Sequence, residues 1–245
     1  MKKRSCGTSA NTSIRWLNEL AEVTAEAEIG ELLADVTREY GLNGYLLLLL
    51  PSETSTQLSS SVLATNWPKE MLRRYDEAGL IFASPVIHRL RRNTTPFTYD
   101  TEKTNRRRAD GKAQIAITLF GQFGLTRGAY FPAHNSHGQR GALAFGGERE
   151  DLTPLEMAEL NAIANIAFSK LLELHTNRMA AITLSRREVE CLSWASAGKT
   201  SVEMSEILGL SEYTVNHYLN RATRKLDAVN RVQAVAKAIR AGLLN

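Results

Sequence analysis

Residues 184–230 read LSRREVECLSWASAGKTSVEMSEILGLSEYTVNHYLNRATRKLDAVN, and their punctuation decides the fold of the C-terminal part of the chain. Ser185 precedes Glu188 by three residues, the spacing of a reciprocal capping box that satisfies two orphan N–H groups at a helix start. Val189, Leu192 and Ala195 turn inward on that helix, which stops at Gly198. Thr200 and Glu203 repeat the box for a second helix that carries Met204, Ile207 and Leu208 and closes at Gly209. Ser211 caps a third helix, whose apolar residues Val215, Leu219, Ala222 and Leu226 fall on one stripe. Asn230 caps a fourth, which runs to about Arg240 and ends with Gly242.

The second and third helices are joined only by Gly-Leu-Ser, the short connection of a helix-turn-helix. With the Val215 stripe buried, the opposite face of the third helix exposes Tyr213, Asn216, His217, Asn220, Arg221 and Arg224. That face carries amides and bases, and the one nearby acid, Glu212, sits at the helix start. Asn reads adenine through two hydrogen bonds in the major groove, while Arg reads guanine or clamps a phosphate. Lys199, Thr200 and Lys225 flank the face and are expected to touch phosphates, which orient a protein without specifying sequence. Residues 184–245 are therefore expected to be an all-α, four-helix domain that binds double-stranded DNA.

The rest of the composition is compatible with this. The 245 residues carry a formal charge of +4 and a pI near 9.1, mildly basic, and 43% hydrophobic residues can fill a core. Two cysteines, Cys6 and Cys191, cannot build a disulfide framework and point to a reduced, cytoplasmic protein. The most apolar run, GYLLLLLP at 44–51, is far short of the roughly 20 residues of a membrane span. The start, MKKR followed by polar SCGTSANTS, does not read as a secretion signal.

Upstream, residues 1–174 read as mixed α and β. A helical period covers 14–40, the leucine run 46–50 is a buried strand, and 60–66 suits a second one. Helices follow Pro68 as far as Gly79 and Ser84-Pro85 as far as Arg91, and 94–99 looks extended. A helix is expected over 106–123, then a hairpin from GAYFPAH and GALAFGG. A long helix runs from Pro154 to about Asn177, with Thr153 and Glu156 as its capping box. This order implies an α/β/α sandwich able to cradle a small ligand, giving an α+β chain with a linker at 175–183.

Residues 184–245 resemble the DNA-binding domain of LuxR-type regulators, with Glu188, Gly198, Lys199, Glu203, Ile207, Thr214, Val215, Lys225 and Leu226 at hallmark positions. The resemblance implies that the third helix enters the major groove and that the fourth helps pair two subunits, as a homodimer or with a related regulator, on a dyad-symmetric operator. Where that family often has Lys, His and Asn, this chain has Asn216, Tyr218 and Arg221, which affects the operator sequence.

The segment NWPKEMLRRYDEAGLIFASPVIHRLRR, 66–92, is similar to the acyl-homoserine-lactone-binding domain of the quorum-sensing branch. By its spacing Trp67 takes the place of the first aromatic, Met71 of a Trp, Tyr75 of a Tyr, Ser84-Pro85 of an Asp-Pro, Tyr99 of a second Trp and Gly128 of a Gly. In that family the Trp indole holds the lactone carbonyl and the Asp accepts the ligand amide N–H. Met71 offers no donor and Ser84 no charge, a combined loss of about 2–4 kcal/mol, or about a hundredfold in affinity. Trp67, Met71, Tyr75, Ser84 and Tyr99 are thus the candidate ligand-binding residues, for a non-standard small molecule or for a domain that works without one.

No catalytic residue, cofactor or metal site is expected, because nucleophile elbows, phosphate loops and ligand clusters are missing from the sequence. His134 and His137 read as a surface turn, RRNTT and NRRR (105–108) as solvated faces, and Cys191 as core. The leading expectation is a LuxR-type transcription regulator, not an enzyme. An ordinary lactone-responsive receptor is the alternative, and a phosphorylation-driven response regulator, for which no phosphoacceptor is identifiable, comes behind.

Overall fold

In the computed structural model, residues 9–180 and 184–244 are described. They fall into two compact units, Met1–Leu172 and Glu173–Asn245. The first is built on a five-stranded sheet of order β2-β1-β5-β4-β3, from β1 (Gly44–Leu49), β2 (Val62–Thr65), β3 (Phe97–Asp100), β4 (Arg127–His134) and β5 (Arg140–Gly147). Every adjacent pair is antiparallel. The leucine run is interior to this sheet, buried on both faces. Pro132 is tolerated inside β4 because β3 pairs only as far as Tyr130, so its missing N–H faces no partner strand there.

The pleat divides the core. Tyr45 and Leu47 of β1, Leu143 and Phe145 of β5 and Phe131 of β4 point to one face, where the Phe131 and Phe145 rings meet edge-on at 6.1 Å. Helices α1 (Ser9–Glu22), α2 (Glu26–Glu39) and α7 (Pro154–Ala180) belong with that layer. The Tyr45 hydroxyl donates to the Gly30 carbonyl, the Tyr40 hydroxyl donates to Glu159 at 2.9 Å, and Gly141 leaves room for the Phe168 ring. Leu46, Leu48, Tyr130, Ala142 and Ala144 point to the other face, packed with α3 (Lys69–Glu77), α4 (Pro85–Arg92) and α6 (Ala113–Gln122). The expected α/β/α sandwich is the architecture found.

Three helices differ from the sequence reading. The period over 14–40 is two helices, because Glu28 turns its carboxylate back to accept the N–H groups of Thr24 and Ala25 and so starts α2 afresh. The helix expected over 106–123 is instead α5 (Thr101–Asn105) and α6, separated by a loop in which Gly111 has φ +71° and Asp110 accepts from Arg108 and from the Lys112 N–H. NRRR, which ends α5 and enters this loop, is only partly solvated, since Asn105 and Arg108 are buried. Helix α7 has the expected Thr153–Glu156 box but runs on to Ala180, through the first residues of the segment expected as a linker.

The second unit comprises α8 (Arg186–Ser196), α9 (Ser201–Leu208), α10 (Glu212–Lys225) and α11 (Arg231–Arg240). Both capping boxes form, and Ser211 and Asn230 cap α10 and α11 as the sequence indicates. Cys191, Leu192, Met204, Val215, Leu219 and Ala222 make its core. Ile207 differs from expectation: α9 buries Met204 and half-buries Leu208, which leaves Ile207 45% exposed.

One close approach admits only glycine. A Cβ on Gly128 would lie 2.0 Å from the Phe145 carbonyl oxygen, which is backbone and cannot yield. Gly128→Ala should therefore destabilise the N-terminal unit by about 3 kcal/mol, measured as a fall in urea midpoint with unchanged slope.

Candidate functional site

The two units each present a site. In the C-terminal unit, α10 buries the Val215 stripe and turns Tyr213, Asn216, His217, Asn220, Arg221 and Arg224 outward. Tyr213 is 81% exposed. The Asn216 carboxamide is already oriented: its Oδ1 accepts from the Ser201 hydroxyl at 2.7 Å, which leaves the amide N–H groups as donors. Sequence reasoning missed Ser201, whose only signal is its place one residue after the α9 cap.

The flanking cations are used differently from expectation. Glu188 lies wholly buried at the start of α8. Its Oε2 accepts from the Ser185 N–H at 2.6 Å and from the Lys225 ammonium at 2.7 Å, and Arg221 Nε stands 3.3 Å from Oε1. Burial alone would raise the carboxyl pKa, but the bonds from Lys225 and Ser185 outweigh it and hold the group below its usual value. Lys225 and Arg221 therefore serve as counter-ions that fasten α10 to α8, before any phosphate is considered. Thr200 caps α9, and Lys199 donates to Glu203 at 3.0 Å; the Thr200 backbone N–H and Lys199 hold the Glu203 carboxyl at about 2. Arg224 stays exposed at the end of the face.

In the N-terminal unit a cavity of about 30 Å³ lies between the sheet and the helices that follow β2. Trp67, Tyr75, Ser84 and Tyr99 line it together, as the spacing implied. Met71 is not in the lining; it lies fully buried in the surrounding apolar cluster. Ser84 spends its hydroxyl locally, accepting from the Ile87 N–H as the cap of α4 and sharing a hydrogen bond with Tyr75. Phe120 meets Trp67 and Tyr75 in T-shaped contacts, with ring centroids 5.7 and 6.2 Å apart. Gly44 and Gly146, paired across β1 and β5, give the Trp67 indole and the Tyr99 hydroxyl their space. Burial raises the Tyr75, Tyr99 and Tyr130 phenols, so all three remain protonated donors at neutral pH. Arg108, which the sequence reading placed on the surface, also lines the cavity. Its only sequence signal is Asp110 two residues on.

Residue 134 ends β4 and residue 137 sits in the following turn, both histidines exposed. No helix among the described residues is long and apolar enough to cross a membrane.

The comparisons agree with this two-part arrangement. Residues 25–171 match the autoinducer binding domain family, and residues 182–238 match the bacterial regulatory proteins of the luxR family. The chain is 31% identical over 239 residues to the transcriptional activator protein AhyR of Aeromonas hydrophila, covering 94% of this chain and 91% of that one. It is 30% identical over 244 residues to the transcriptional activator protein LuxR of Aliivibrio fischeri, covering 97% and 96%. Among solved structures, SdiA of Escherichia coli superposes with a TM-score of 0.72 at 20% identity, over 96% of this chain and 98% of that one, a likeness of fold. The chain belongs to the LuxR-type family of quorum-sensing transcription regulators, which are DNA-binding proteins and not enzymes.

The Glu188 clamp has a signed pH dependence. A carboxyl whose folded pKa lies below its unfolded value stabilises above the unfolded value, about 4.5, and loses that contribution as pH falls through the folded one. Glu188→Gln should cost the C-terminal unit about 2 kcal/mol near neutral pH. The gap to the unmodified protein should narrow as pH falls below the unfolded value and through the lower folded one, in urea titrations at neutral and acidic pH.

Proposed function

We propose that the protein acts as a dimer on a dyad-symmetric operator, with α10 of each subunit in the major groove and α11 contributing to subunit pairing. The N-terminal unit regulates it, by binding a small molecule other than a standard acyl-homoserine lactone or by working without one. The observation that carries the DNA half is the exposed, amide-rich and base-rich face of α10, oriented by the Ser201–Asn216 bond and the Glu188 clamp. Asn216 and Asn220 read base edges, and Tyr213, His217 and Arg224 complete the contact. Arg221, Lys199, Thr200 and, through whatever charge Glu188 leaves it, Lys225 serve the phosphates. Val229 and Val232, 86% and 73% exposed at the start of α11, are apolar surface available to a second subunit.

The ligand half rests on Ser84 and Met71. The serine hydroxyl is committed to Ile87 and Tyr75, and the methionine stands outside the cavity lining, so neither replaces the carboxylate and indole that hold a lactone. Ligand pockets usually span roughly 300–1,000 Å³, so a cavity of about 30 Å³ admits a large guest only after its walls move. SdiA has been solved in complex with octanoyl-rac-glycerol, so this fold takes a non-lactone guest in that protein. Such a regulator belongs in the cytoplasm, with its DNA.

Asn216→Ala and Asn220→Ala should each lose about 1–3 kcal/mol on the selected operator and little on random DNA, in competition binding at fixed salt. Equal losses on both DNAs would remove these residues from base readout. Lactones of short to long acyl chain should leave the melting temperature of the full chain unchanged. Clear stabilisation by any of them, abolished by Tyr75→Phe or Trp67→Ala, would restore the ordinary receptor reading.

A further inference from the structure

A buried cation in the cavity identifies the ligand class, provided the ligand-binding limb of the reading above holds. The Arg108 side chain is 1% exposed. Its Nε and Nη2 donate to the two oxygens of Asp110 at 3.0 and 2.6 Å, and Nη2 also donates to the Leu80 carbonyl oxygen at 2.8 Å. These bonds hold the loop between α5 and α6 to the end of α3, and they use two of the three guanidinium nitrogens. Nη1, with two further donors, has no hydrogen-bond partner among the described residues. A purely structural ion pair does not need a buried guanidinium with an idle amino group, because desolvating it without compensation is costly.

The surroundings complement an acceptor. Tyr75, Tyr99, Tyr130 and Thr104 line the same space, and no Asp or Glu does. Immediately outside, sharing Val86, Tyr99 and Thr104 with the cavity, a surface cleft of about 330 Å³ lies beside β3. It carries Arg89, Lys103, Arg107 and Arg127 against Asp100 and Asp151. Asp100 stands 3.6 Å from Arg127, which leaves the cleft net positive. A cleft of one sign beside a low-dielectric cavity concentrates ligands of the opposite sign. The aromatic walls from Trp67, Phe120 and Tyr130 suit a flat apolar body.

We propose that the N-terminal unit binds a compact organic carboxylate with a planar apolar body, drawn in across the basic cleft and anchored by Nη1 of Arg108. Lactones present a neutral head and an amide N–H that wants a carboxylate acceptor, and the cavity has neither need nor provision for them.

The test is thermal unfolding and calorimetry of the full chain with benzoate, 4-hydroxybenzoate and octanoate, beside methyl benzoate and N-octanoyl homoserine lactone. At least one aromatic acid should stabilise the protein, more than octanoate does, while methyl benzoate and the lactone have no effect. Arg108→Gln should weaken the acid by about tenfold or more, the size of a lost charge-assisted hydrogen bond. Asp110→Asn should act the other way and tighten it, because the guanidinium is then left buried without its counter-ion. A merely structural Arg108–Asp110 pair would give losses in both variants. If Arg108→Gln does not fold, Asp110→Asn and the acid-against-ester comparison on the unmodified chain still decide. No stabilisation by any acid, equal stabilisation by ester and acid, or weaker acid binding in Asp110→Asn each overturns the proposal. Stabilisation by the lactone alone would overturn it while leaving a ligand-responsive regulator in place.

Discussion

The buried carboxylate of Glu188 is the constraint on which the DNA-reading unit depends. It closes the cap of α8, and its charge is then balanced by Lys225 and Arg221 from the far end of α10. An isolated buried carboxylate is expensive, so the helix that brings the cations is fixed in rotation as well as in position. Rotation is what decides which side chains of α10 meet a groove. The apolar stripe alone sets it loosely, since methyl groups slide; the ion pairs set it to within a hydrogen bond. The Ser201 bond to Asn216 refines the same alignment at the other end of the helix.

The N-terminal unit rests on a different device, a row of glycines across three strands. Gly44, Gly146 and Gly128 are register partners on β1, β5 and β4. Their missing side chains let Trp67 and the Tyr99 hydroxyl sink onto the sheet and let β4 and β5 approach closely. The cavity is what remains above this row once Phe120 and the tyrosines have closed over it. Its chemistry follows from what is protonated there: raised phenols and a guanidinium, all donors.

Much of this was legible in the sequence, and the boundary of legibility has physical causes. Capping boxes, the Val215 stripe and the glycine stops are local signals, and local signals survive translation into structure almost unchanged. The four aromatic and serine positions around the cavity were recoverable from the resemblance to the lactone-binding domain, whose pattern they match in spacing. What escaped was tertiary. Arg108 sits in a run of basic residues that reads as surface, and only a loop that folds inward to Asp110 and Leu80 reveals it as buried. Arg221 read as part of the recognition face and Lys225 as a phosphate contact because Glu188, 33 and 37 residues earlier in the chain, meets them only across the bundle. The break between α1 and α2 was hidden because the N-cap of α2 is Ala25, which has no side-chain oxygen to announce a helix start, and Glu28 alone closes the cap.

The pairing of β1 with β5 has a consequence for how the chain comes into being. Gly44 meets Gly146 about a hundred residues further along, so the leucine strand is synthesised long before its principal neighbour exists. The short β2 covers one side at most, through a register interrupted between Leu47 and Leu48. During translation the nascent sheet is a long-range, slow-closing object with an apolar strand open to any passing edge. The C-terminal helices, by contrast, need only near neighbours and can consolidate as soon as they emerge. The cavity is lined by residues from Leu46 to Tyr130, which meet only once the sheet has closed, so any molecule held there would favour the closed state over the open one.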